Sequence, residues 1–239
     1  EIIRYEDEVQ CILPDRQIVL LEERRDVSPL VSALPSYSDE LLRHYDFALL
    51  GEARVVERQT QIVSIKPKDG FRYGYMLWLD QETAMPLKSQ LVDEQGTVLE
   101  QILFAQLEIS DSIPRSELEP TINTDGFTLL RPRAAEEQTD EHLRLRAARV
   151  PEGFQLSAAT RRPIAGSDYP VEHLVYSDGL ATVSVFIEDP KSDPEVAAGH
   201  SRVGSANAFS LTVSGRQVTA VGEVPRRTVE TIATSLRAQ

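Results

Sequence analysis

The sequence predicts an α+β protein built mainly from antiparallel sheet and divided into two domains. Three observations carry that reading. Short alternating apolar runs, separated by turn-forming residues, fill the first hundred positions. A proline-interrupted stretch without periodicity follows over 111–141. Beyond it come a second group of strands and one amphipathic helix. At 239 residues the chain exceeds one ordinary core of about 150 residues.

Residues 2–13 and 16–23 are apolar and β-branched around Pro14-Asp15-Arg16 and read as a hairpin. Pro29 and Pro35 punctuate the next loop. Ser38-Asp39-Glu40 supplies a helix cap with acid in the first turn, and Leu41, Leu42, Tyr45 and Leu49 recur at helical spacing until Gly51. The sheet this helix would cover is read over 53–66, 71–80, 85–93 and 97–109, with turns at Lys68-Asp69-Gly70 and Asp93-Glu94-Gln95-Gly96. Ile113-Pro114, Glu119-Pro120 and Arg131-Pro132 then break the pattern. This gives a large domain over 1–120, a linker over 121–141 and a small domain over 142–239. In the small domain, strands are expected at 153–160, 171–177, 180–188, 205–213 and 216–224, and 189–204 reads as a loop. Pro225 opens a last helix in which Val229, Ile232, Ala233 and Leu236 form one stripe.

The net charge of −13 disfavours nucleic acid and anionic lipid surfaces as broad partners. It is unevenly spread: 12 basic against 24 acidic residues over 1–125, and 13 against 14 over 126–239. The second half is therefore where an acidic partner would dock. A well-solvated acidic first domain is the plain alternative. Cys11 is alone in an apolar strand, so it reads as a buried thiol and excludes an intrachain disulfide. His44, His142, His173 and His200 lie too far apart in sequence for a metal motif, and no nucleophile elbow or phosphate-binding glycine loop occurs. No cofactor, metal or catalytic group is expected.

Two places stand out as candidate sites. Over Phe71–Asp80, alternation puts Phe71, Tyr73, Tyr75, Leu77 and Leu79 on one face and Arg72, Gly74, Met76, Trp78 and Asp80 on the other. Large apolar groups thus occupy both faces, as in a strand that packs a helix on one side and lines an apolar cavity on the other. Tyr73, Tyr75, Leu77 and Trp78 are the candidate lipid contacts, against the simpler reading of a two-sided core strand. The second place is the arginine-rich small domain, with Arg144, Arg146, Arg149, Arg161, Arg162, Arg202, Arg226 and Arg227. Guanidinium groups receive carboxylates or phosphates in bidentate geometry; solvated surface arginines are the plain alternative. Asp-Gly turn chemistry accounts for Asp178 and Gly179 and leaves Tyr176 and Leu180 without a local reason.

Residues 171–188, with Ser177-Asp178-Gly179 between two β-rich runs, resemble the hallmark hairpin of the RseB/MucB family. Phe71-Arg-Tyr-Gly-Tyr-Met-Leu-Trp-Leu-Asp80, Pro86-Leu-Lys-Ser, 92–100, Gly204-Ser-Ala-Asn-Ala-Phe209 and Gly222-Glu-Val-Pro225 resemble it too, in order and across nearly the whole chain. The resemblance implies a first domain similar to LolA and LolB, an incompletely closed antiparallel β-barrel with helices, followed by a smaller α+β domain. It implies a periplasmic stress sensor that binds the periplasmic segment of a membrane anti-sigma factor and shields it from regulated proteolysis. Lipid or lipopolysaccharide in the first-domain cavity would release it, with the linker as hinge. Partner contacts are assigned to Arg161, Arg162, Tyr176, Leu180, Arg202 and Phe209, with a homo-oligomer left open. A periplasmic lipid or lipoprotein carrier is the alternative. The opening Glu1-Ile-Ile-Arg reads as mid-strand, and family members carry an export signal and further strands before this point, so such segments are expected ahead of it.

Overall fold

The computed structural model describes residues 1–23, 39–131, 136–137, 143–162, 170–189 and 198–238. The expected Ser38 cap, Pro29, Pro35, His142, Pro190 and Pro194 lie outside them, as does the side chain of Arg162. In chain order the elements are β1 (Ile2–Tyr5), β2 (Glu8–Leu13), β3 (Ile18–Glu23), α1 (Asp39–His44), β4 (Tyr45–Val55), β5 (Arg58–Pro67), β6 (Gly74–Asp80), β7 (Pro86–Val92) and β8 (Val98–Leu103). They continue with β9 (Thr128–Leu130), β10 (Glu136–Glu137), β11 (Leu145–Ala147), β12 (Gln155–Arg162), β13 (Val171–Ser177) and β14 (Thr182–Glu188). The last are β15 (Gly199–Val203), β16 (Ala206–Val213), β17 (Arg216–Gly222), α2 (Arg226–Thr234) and β18 (Leu236–Ala238). Sheet predominates and helices are few.

Contacts divide the chain into two compact units, residues 1–33 with 106–134, and residues 34–105 with 135–239. In the first, β1, β2 and β3 form a meander and β9 joins β3 in parallel. The run expected as one strand over 2–13 is broken at Glu6, whose φ of 52° turns the chain back into β2. Ile3, Ile12 and Val19 make its core beneath Leu118, Ile122 and Phe127.

The second unit holds an open five-stranded antiparallel sheet, β4-β5-β6-β7-β8, and a seven-stranded sheet, β10-β12-β13-β14-β17-β16-β15. The helix expected up to Gly51 stops at His44. From Tyr45 onward the chain pairs with β5, in register from Tyr45 opposite Pro67 to Val55 opposite Arg58. A full ladder outweighs a helical spacing of leucines, because each paired residue satisfies its backbone groups. Leu49 and Leu50 stay exposed as a result. The strand expected over 53–66 is two strands joined at Val56-Glu57, both at positive φ as a tight hairpin requires. Within the expected 189–204 loop, β15 pairs with β16 from Gly199 opposite Ser210 to Val203 opposite Ala206.

The hairpin expected at Ser177-Asp178-Gly179 is present, with Ser177 opposite Thr182 and Gly179 at φ 96°. Behind the seven-stranded sheet, Val229, Ile232 and Ala233 of α2 pack on Leu174, Tyr176, Val183, Val185, Val218 and Ala220. Ile232 is fully buried there, so Ile232→Ala should lower unfolding stability by about 2–5 kcal/mol in urea titration. In the five-stranded sheet, Arg58 clamps the buried Asp80 with two contacts of 2.8 Å, and Thr83 adds a hydroxyl bond of 2.7 Å. The Arg58 hydrogen bonds hold the Asp80 carboxyl far below its ordinary 3.8. A depressed folded value contributes stability above the unfolded one and loses it as pH falls. Arg58→Gln should therefore move acid unfolding to higher pH, followed by circular dichroism.

Candidate functional site

Arg72 sits in the bend between β5 and β6, flanked by Phe71 and Tyr73, and its side chain is fully buried. A guanidinium out of water must spend its N–H donors on fixed acceptors. Its Nε donates to Oδ2 of Asp178 at 2.5 Å, Nη1 to Asp69 and Nη2 to the carbonyl of Glu152. Phe154 and Tyr45 lie 4.9 and 5.7 Å from the guanidinium carbon, so ring faces enclose the charge. Gly153 makes the approach possible. It lies at φ +85°, and a Cβ there would collide with His44 and Arg72.

Asp178 divides its carboxylate between two tasks. Oδ1 accepts the N–H groups of Leu180 and Ala181 at 2.9 and 2.7 Å and so closes the β13–β14 turn. Oδ2 leaves the turn and receives Arg72 and the Tyr45 hydroxyl, the latter at 2.9 Å. Local turn chemistry therefore explains only half of Asp178, which corrects the expectation from sequence. Burial, then the neighbouring Asp178 charge, pushes the Tyr45 hydroxyl far up, so it remains a donor.

Phe71 and Tyr73 also hold the seven-stranded sheet. Thr228 at the start of α2 donates to the Phe71 carbonyl at 2.6 Å, and Asn207 of β16 donates to the Tyr73 hydroxyl at 2.9 Å. Arg227 reaches Glu94 at 3.0 Å. Leu180, at the hairpin tip, packs on the cluster of Leu41, Tyr45, Ile65 and Leu77. Three consecutive residues, 71–73, thus fasten one sheet to the other.

The opposite face of the five-stranded sheet carries Ser64, Lys66, Met76, Trp78, Lys88 and Gln90, as the registers of β5, β6 and β7 require. A cavity of about 580 Å³ opens on it, lined by Lys66, Gly74, Met76, Gln90, Val92 and Val98 among others. The Lys88 ammonium lies 4.1 Å from the centre of the Trp78 ring.

The structure separates the residues that the sequence grouped as lipid contacts. Leu77 is buried and Tyr75 packs against it in the cluster under α1 and Leu180. Tyr73 is bonded to Asn207, and Trp78 alone shares the cavity's side of the sheet. Of the partner set, Tyr176 and Phe209 are core residues, and the Tyr176 hydroxyl accepts the Ala147 N–H at 3.0 Å. Arg161 lies on β12 opposite Glu172, whereas Arg202 lies on the edge strand β15. Five strand spacings, roughly 24 Å, separate them, so they do not form one cluster. Arg144 and Arg216 share Asp189 at 2.6 and 3.1 Å. What sequence reasoning missed is Arg72 itself, and a lone cation between aromatic residues was the available signal.

A family sequence model described as the MucB/RseB N-terminal domain matches residues 1–122, and one described as the MucB/RseB C-terminal domain matches 139–237. The chain is 33% identical to the sigma factor AlgU regulatory protein MucB of Pseudomonas aeruginosa over 99% of this chain and 73% of that protein. It is 29% identical to the sigma-E factor regulatory protein RseB of Salmonella typhimurium over 87% of this chain and 65% of that protein. Among solved structures, MucB in complex with MucA(peri) is similar at 33% identity and a TM-score of 0.69, covering 85% of this chain and 71% of that one. The Pseudomonas aeruginosa MucA/MucB complex is similar at 28% identity and 0.72, covering 100% and 78%. These relatives are named as regulatory proteins, not enzymes.

Removing one partner of a buried ion pair strands the other charge. Asp178→Ala and Arg72→Ala are each expected to cost about 3–5 kcal/mol of stability in chemical denaturation, and the double variant less than their sum. Additive losses would mean that the two side chains do not depend on one another.

Proposed function

The chain belongs to the MucB/RseB family, and on that premise we propose that it is a periplasmic regulator that binds the periplasmic segment of a membrane anti-sigma factor. In this reading it shields that segment from regulated proteolysis and lets go when lipid or lipopolysaccharide binds. The observation that carries the proposal is the likeness over the whole chain to MucB in its complex with MucA. The family matches at 1–122 and 139–237 support a division at a linker over 121–141, with a LolA- or LolB-like first domain. The open five-stranded sheet is in keeping with such a half-closed barrel.

The lipid part rests on the cavity face. Met76, Val92 and Val98 line the cavity and offer apolar contact for acyl chains, with Trp78 on the same face, and Lys66 in a lining that also holds Asp69, Asp93 and Glu94 offers a cation to a head group. Release requires that the lipid bind the free conformation more tightly than the complexed one, since equal affinity for both shifts nothing. The same cavity favours a second reading, a periplasmic lipid or lipoprotein carrier, in which residues 139–237 only support the sheet.

Calorimetry separates the two. The regulator binds a peptide spanning the periplasmic segment of the anti-sigma factor, and added lipopolysaccharide weakens that binding by the same factor by which the peptide weakens lipopolysaccharide binding. Lipid binding without peptide binding would select the carrier. Trp78→Ala should lower lipid affinity with the fold intact, whereas Leu77→Ala should cost about 2–5 kcal/mol of stability and leave the lipid site usable. Arg202→Ala, on an exposed edge, should alter mainly the salt dependence of peptide association.

A further inference from the structure

The five-stranded and seven-stranded sheets of the larger unit meet at a second polar point away from Arg72. Glu100 of β8 shares a face with Tyr75 and Leu91, turned toward the seven-stranded sheet. Ser205, buried in the β15–β16 turn, places its Oγ 2.6 Å from Oε2 of Glu100 and 2.5 Å from Oε1 of Glu223, in the bend before α2. A serine hydroxyl carries one proton and donates once. With both carboxylates ionised, one of these two short contacts sets lone pair against lone pair. With one carboxyl protonated, both contacts become hydrogen bonds. The geometry is therefore that of two acids and a hydroxyl sharing protons across the junction of the sheets.

We infer that Glu100, Ser205 and Glu223 form a proton-dependent latch that fastens β8 to the seven-stranded sheet when one carboxyl is protonated and loosens when both ionise. Among the described residues, the groups facing it do not supply a compensating cation. Tyr75 of β6 is neutral, its hydroxyl pushed up to about 12 chiefly by burial and then by Glu223, Asp178 and Glu100. The Tyr73 hydroxyl is engaged by Asn207. On α2, Arg227 is committed to Glu94 and Arg226 is exposed, while Arg202 of β15 donates to the Gly204 carbonyl. Glu223 is an exposed residue whose carboxyl is turned against Ser205 and Glu100; desolvation there, then the Glu100 charge and hydrogen bond, raise it above its ordinary 4.5 against the opposing Ser205 bond.

The sign follows. A carboxyl raised by folding contributes stability that is full below the ordinary glutamate range and is lost as pH climbs through the folded value. The junction at β8 is thus tighter in mild acid and slacker at neutral pH, the reverse of the Arg58–Asp80 clamp in the same sheet.

The test is a carbon-13 titration of glutamate carboxyls in the full chain, paired with thermal melting across mildly acidic to neutral pH. The Glu223 carboxyl should titrate above 4.5, and Glu100→Gln should move it down toward that ordinary value. Glu223→Gln keeps a hydrogen bond at every pH, so its melting temperature should lose the fall that the natural protein shows as pH rises. An ordinary Glu223 midpoint, or one untouched by Glu100→Gln, would overturn the latch even if Glu223→Gln fails to fold.

Discussion

A guanidinium with no access to water constrains everything around it. Arg72 is tolerable only while Asp178, Asp69 and the Glu152 carbonyl all stand within reach, and those acceptors come from positions far apart in the chain. The bend after β5, the β13–β14 hairpin and the loop before β12 must therefore be placed together. Tyr45 and Phe154 close over the charge, and Gly153 has no side chain because none fits. A buried ion pair of this sort adds little net stability over an apolar replacement; its effect lies in permitting one arrangement and penalising others.

That arrangement assigns different work to the two faces of the five-stranded sheet. One face is used up by the junction: Tyr75 and Leu77 lie under Leu41 and Leu180, and Glu100 meets Ser205. The other opens a cavity lined by Met76, Val92, Val98 and Lys66, and carries the Trp78–Lys88 pair on the same side of the sheet. Both faces belong to the same strands, β5 to β7, so the junction and the cavity lie back to back on one sheet.

Local chemistry made part of this legible in advance. The Asp178-Gly179 turn, the β5–β8 meander and the helix after Pro225 each rest on neighbours in sequence, so residue pattern sufficed. Where pattern failed, long-range pairing had decided. Leucines at helical spacing over 41–49 became mostly strand because β5 supplied a ladder. A Val-Glu turn at positive φ has no sequence signature, since valine is a poor occupant of that region. Parallel pairing of β3 with β9 and the edge strand β15 likewise depend on partners distant in sequence or hidden by loop composition. The junction was hardest of all, because the residues of the Arg72–Asp178 pair are 106 positions apart and each has an ordinary explanation alone.

Hydrogen exchange observed by nuclear magnetic resonance tests the central claim most directly. If Arg72 binds the two sheets into one cooperative unit, its Nε–H and the Leu180 and Ala181 amides that share Asp178 should exchange only with global unfolding, with the same protection as the β13 and β14 amides. Exchange of the Arg72 Nε–H orders of magnitude faster than those strand amides would show that the junction opens by itself, and would contradict the account.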